Sequence, residues 1–138
     1  MSRFLGLDTS NYTTSAAVWE DGCIRQEKQL LPVRPGEMGL RQSDAVFHHT
    51  RQLPEVLERL LAESPGGFQA VAASDRPQQK EGSYMPCFLV GWGAARQLAA
   101  VLGVPLYRFT HQQGPVAAVY IGGEISNFTN HYKSGHLY

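Results

Sequence analysis

The sequence predicts one α/β domain built on a mixed sheet, with elements in the order βββαβαβ and helices packed on the sheet. Three observations carry this. The first 33 residues hold three short apolar runs joined by turn signals, which is an antiparallel meander. Two longer runs at helical spacing follow, and each leads into a further short apolar run. The chain has 138 residues and is 43% hydrophobic, enough for one domain with a core.

RFLGLDT (3–9) alternates and ends in polar residues, so it is a strand closing on a site-like loop. TTSAAVWED (13–21) is the second strand, with Asp21-Gly22 as its turn, and IRQEKQLLPV (24–33) is the third. Pro35, Gly36 and Gly39 break the next stretch. Residues 43–63 form a helix, capped by Ser43 or Asp44 and kinked or restarted at Pro54, and Pro65-Gly66-Gly67 ends it. FQAVAASDR (68–76) is the fourth strand. CFLVGWGAARQLAAVLG (87–103) is a helix apolar all round and therefore expected to be buried, with Gly91 and Gly93 allowing close packing and Gly103 as its stop. VPLYRFT (104–110) is the fifth strand, and PVAAVYI (115–121) predicts the start of a third helix. Residues 119–138 read as an irregular polar tail, leaving 1–118 as the domain.

Composition excludes several classes. Twelve basic and twelve acidic residues give zero formal charge with no basic block, which argues against a chain that grips nucleic acid unaided. Two cysteines without a CxxC pair read as free thiols of a reducing cytoplasm. The N-terminus lacks a signal-peptide core, and no apolar run reaches the roughly 18 residues of a membrane span. No HExxH motif and no nucleophile–base pair points to a peptidase.

Three separated blocks, in order, resemble one family. GLDTSNYTTSAAVW (6–19) is similar to the first phosphate loop of the actin-like, ribonuclease-H-type ATPases. LRQSDAVFHHTRQLP and the stretch from Ser74 to Gly114, containing EGSYMP, resemble TsaD, the threonylcarbamoyl transferase of tRNA modification once named O-sialoglycoprotein endopeptidase or glycoprotease. The resemblance implies a ribonuclease-H-like lobe. It implies a family whose members have two lobes, with ATP, threonylcarbamoyl-adenylate and a divalent metal (Fe, Zn or Mg) in the cleft between them. This chain is expected to supply the N-terminal lobe, with transfer of a threonylcarbamoyl group to tRNA adenosine beyond it alone.

The candidate site residues follow from that frame. Asp8, Thr9 and Ser10 form a loop that offers backbone N–H groups and hydroxyls to phosphates, or an Asp-Thr-Ser turn that bonds only to itself. Asn11 and Tyr12 stand where common family members carry acidic residues. Arg76, Glu81, Ser83 and Tyr84 lie in a loop that is either substrate-side or plain polar surface. His111 keeps the first ligand of the family's HxxxH metal motif, and Pro115 replaces the second. Pro115 suits a first helical turn, so backbone shape is preserved while the ligand is lost. His48 and His49 point about 100° apart on their helix, so one is expected to pack on the sheet and the other outward. Cys87 is either a thiol activated at a helix start or a small buried hydrophobe. Expected partners are a homologous lobe or a second copy, with tRNA met through a complex and no membrane. The alternative is a non-catalytic partner of a full-length homologue, or a truncated fragment.

Overall fold

The computed structural model describes residues 2–10, 12–32, 41–76 and 86–110. Its elements are β1 (Arg3–Ser10), β2 (Thr13–Glu20), β3 (Cys23–Leu30), α1 (Gln42–Leu61), β4 (Ala70–Arg76), α2 (Phe88–Leu102) and β5 (Leu106–Thr110). The sheet order is β3-β2-β1-β4-β5. β1, β2 and β3 pair antiparallel, whereas β4 pairs parallel with both β1 and β5. An antiparallel meander continued by parallel crossover strands is the ribonuclease-H-like arrangement that the sequence predicts.

Local chemistry explains the elements. Asp21 and Gly22 both take positive φ, 47° and 88°, as a two-residue turn matched to strand twist requires. All eight residues of β1 are buried, as suits a central strand covered on both faces. α1 lies over β2 and β3 and α2 over β1 and β4, and both meet the same face of the sheet. There Leu5, Leu7, Val18 and Val71 pack against Leu53, Val56 and Leu60 of α1 and Ala95 and Ala99 of α2. Alternation turns Phe4, Ala70, Ala72 and Phe109 to the other face, where they form a second buried cluster with Trp19 and Tyr107.

Four expectations need correction. α1 is entered through Arg41, without a side-chain cap; Asp44 lies inside the first turn and complements the helix dipole instead. Pro54 does not restart α1, which runs on unbroken to Leu61. One missing N–H is tolerated there because the flanking Leu53 and Val56 are buried against the sheet. α2 is not buried all round: only Phe88, Gly91, Ala95 and Ala99 are, while Leu89, Val101 and Leu102 are exposed. A helix laid on one side of a sheet covers one stripe, whatever its composition. Finally, close packing explains Gly91 but not Gly93. A Cβ at Gly91 would stand 2.9 Å from Thr9 Oγ1, whereas one at Gly93 would meet open space.

Candidate functional site

Polar residues gather where the parallel strands β1 and β4 end, on the face turned away from α1 and α2. Asp8 is central. Ser74 Oγ of β4 donates to Asp8 Oδ1 at 2.5 Å, and both residues are buried. Ser15, opposite Asp8 in the β1–β2 ladder, donates through Oγ to the Asp8 carbonyl at 3.4 Å. Ser10, two residues on, shares this face. The result is a carboxylate held by the Ser74 hydroxyl at the carboxyl end of a parallel strand pair, the position where open α/β sheets bind ligands.

Thr9 belongs to the other face. Its hydroxyl donates to the Cys87 carbonyl at 2.9 Å and accepts the Gly91 N–H at 3.0 Å, which locks the start of α2 onto β1. Asp8, Thr9 and Ser10 are therefore strand residues rather than a loop. The strand reaches Ser10 because all three pair with β2 in the antiparallel ladder.

Arg76 ends β4 beside a register shift between Ser74 and Arg76, a bulge that re-aims the strand's last side chains. Its guanidinium grips Asp75 through Nε and Nη2, at 3.1 and 3.0 Å, and Arg108 Nη1 approaches the same carboxylate at 3.6 Å. Glu81, Ser83, Tyr84, His111 and Pro115 lie outside the described residues, as do the helix expected at 115–121 and the tail at 119–138. Among the described residues no three His, Cys, Asp or Glu side chains gather as a metal would need.

His49 is the histidine that packs inward. Its Nδ1 lies 2.8 Å from Thr14 Oγ1, which donates to Gln52 Oε1 at 3.0 Å, and Gln52 Nε2 donates to the Leu30 carbonyl at 3.2 Å. Gln52 must present its oxygen to Thr14, because its amide nitrogen serves Leu30. The single Thr14 proton goes to that oxygen, so the Nδ1–H of His49 donates to Thr14. Nε2 is buried and has no hydrogen-bond partner among the described residues. Burial holds the His49 pKa below its ordinary value; the Ser10 backbone and the Asp8 carboxylate pull it upward, and His48 adds to the lowering. Cys87 is a buried hydrophobe and not an activated thiol, since burial pushes its pKa up to about 11.

Sequence reasoning passed over Ser74, Ser15 and the Thr14–His49–Gln52 chain. The one available signal was alternation: Ala70, Ala72 and Ser74 share a face, so the serine breaks an apolar row.

No family model matches the chain. It is similar to curated relatives named tRNA N6-adenosine threonylcarbamoyltransferase. That of Methanopyrus kandleri is 34% identical over 126 residues, covering 86% of this chain and 35% of the relative. That of Salinibacter ruber is 32% identical, covering 87% and 36%. That of Thermus thermophilus is 32% identical, covering 97% and 42%. Among solved structures, YeaZ from Pseudomonas aeruginosa superposes with a TM-score of 0.57 at 23% identity, over 80% of this chain and 44% of that one, a likeness of fold. The chain is thus a TsaD-like sequence, a relative of the tRNA N6-adenosine threonylcarbamoyltransferases that spans about a third of the length of those it matches.

Proposed function

We propose that the chain acts as one lobe of a tRNA threonylcarbamoyladenosine-forming transferase, the remainder of the relatives' length being supplied by further polypeptide, in the same chain or another. Supporting this reading is identity of 32–34% across 86–97% of this chain. In it, the strand-end cluster of Asp8, Ser10, Ser15 and Ser74 faces the phosphates of ATP or threonylcarbamoyl-adenylate. The Ser10 hydroxyl would donate to a phosphate oxygen, Ser15 and Ser74 being engaged with Asp8, and the Ser74 bond keeps the Asp8 carboxylate in one orientation. Arg76 and, beyond the described residues, Glu81 and Ser83 would stand on the substrate side. His111 is the residue proposed to meet a divalent metal, with Pro115 in place of a second ligand. Asp8→Asn tests the nucleotide face: calorimetry with ATP and Mg²⁺ is expected to give binding that this substitution weakens about tenfold, because the carboxylate would meet the Mg²⁺ that accompanies the phosphates. No heat at millimolar nucleotide sinks it.

A second reading has its own observation. Leu89, Val101 and Leu102 of α2 are exposed, as is Phe47 of α1. Exposed apolar side chains at both ends of one helix offer points at which a partner could dock. The chain would then be a non-catalytic partner, binding a homologous lobe or a second copy and meeting tRNA within that complex. Either role would be performed in the cytoplasm; no described helix is long and apolar enough to cross a membrane.

A further inference from the structure

The side of α1 that meets the sheet changes character along its length. Leu53, Val56 and Leu60 pack into the apolar core, whereas His49 and Gln52 are buried and polar. His49 is fully enclosed, and its Nε2 has no hydrogen-bond partner among the described residues. A buried polar atom left unpaired is destabilising, so an apolar side chain at position 49 would serve packing better. What the polar pair does instead is hold one end of a hairpin. His49 Nδ1 and Gln52 Oε1 both bond to Thr14 Oγ1, and Gln52 Nε2 donates to the Leu30 carbonyl. Thr14 pairs with Thr9 across β1 and β2, one rung from the Ser10–Thr13 pair. The Leu31 N–H donates to the Tyr12 carbonyl at 2.7 Å, so the chain after β3 holds the same turn. Thr9 is bonded in its turn to the start of α2. The hairpin end that carries Ser10 is thus fixed to α1 through Thr14 and to α2 through Thr9.

We propose that Thr14, His49 and Gln52 are positioning residues for the nucleotide face: they fix the hairpin end on which Ser10 stands, so that its hydroxyl is in place when a phosphate arrives. The inference rests on the nucleotide-face reading above and adds to it three side chains that touch no substrate. The physical advantage is preorganisation. A donor held in place before the charge arrives costs little ordering on binding. Polar side chains at a site where apolar ones would pack better are then explained by what they orient, at some cost in stability.

Two measurements on the whole chain test it: calorimetry with ATP and Mg²⁺, and amide exchange by NMR at Ser10, Thr13 and Thr14 without ligand. Thr14→Val keeps the shape and removes the hydroxyl at the centre of the chain of bonds. It is expected to weaken ATP binding about tenfold and to speed exchange at these amides. His49→Leu is expected to weaken binding severalfold while its urea midpoint stays at or above the parent's. A merely structural histidine would lower the midpoint and leave affinity alone. His49→Asn, which can still donate near the Nδ1 position, should restore most of the affinity. His49→Leu combined with Thr14→Val should weaken binding no more than Thr14→Val alone, because both act through one hydroxyl. Leu60→Val, farther along α1 in the apolar core, should lower the midpoint and leave affinity unchanged. The inference is overturned if Thr14→Val and His49→Leu bind ATP as the parent does, or if Leu60→Val weakens binding equally. Unchanged exchange in Thr14→Val also overturns it, and a parent that still binds ATP then spares the nucleotide-face reading. Faster exchange in Thr14→Val with no ATP binding by the parent sinks that reading and leaves the hold on the hairpin standing.

Discussion

Ser74 and Asp8 meet across the parallel pair β4–β1, hydroxyl to carboxylate at 2.5 Å, both almost shut off from solvent. A hydrogen bond to a charged group in such surroundings contributes about 1.5–3 kcal/mol. Ser74→Ala should lower unfolding stability by about that amount, read from urea denaturation. It should also weaken nucleotide binding, because Asp8 loses the group that orients it. Unchanged stability would show that the bond adds nothing net.

Gly91 and Gly93 lie one residue apart on α2 and should respond in opposite directions. Gly91→Ala drives a methyl toward Thr9 Oγ1 and breaks the lock between α2 and β1, costing about 1–3 kcal/mol. Gly93→Ala adds a methyl to open space and should stabilise by about 0.5–1 kcal/mol through helix propensity. Thermal melts of the two variants decide it.

His49 should make stability depend on pH. Its folded pKa is depressed while the unfolded chain keeps the ordinary value near 6.5, so in the window between them the unfolded state binds more protons. Stability from the neutral imidazole is complete above that ordinary value and is lost as pH falls toward the folded one. Denaturation midpoints measured from neutral to mildly acidic pH should fall in the parent and fall less in His49→Gln. Parallel curves would remove His49 from the account.

Val101 is 84% exposed at the end of α2. Val101→Lys should leave the fold within about 0.5 kcal/mol of the parent, as surface changes do. If the α2 face docks a second copy, the same change should shift light-scattering mass toward the monomer. A parent already monomeric at high concentration would exclude self-pairing through this face.

Element order and type were legible because alternation and helical spacing are local. Which face each residue serves was less so. Asp8, Thr9 and Ser10 read as one motif, yet alternation sends Thr9 to α2 and the other two away from it. Composition suggested a fully buried α2, because it records what a helix tolerates and not how many neighbours it has. The hydroxyl that anchors Asp8 could not be read from spacing at all, since it lies 66 positions away. The expectations for Glu81, Ser83, His111 and Pro115 fall outside the described residues.

That separation also sets an order in time. The meander pairs neighbours along the chain, so β1, β2 and β3 can associate early. The β1–β4 pairing has to close a far longer loop, and contacts of that span form slowly. The Asp8–Ser74 contact is a product of this late closure. During synthesis it does not exist until β4 has left the ribosome, so the carboxylate is oriented only in a chain that has nearly completed its sheet.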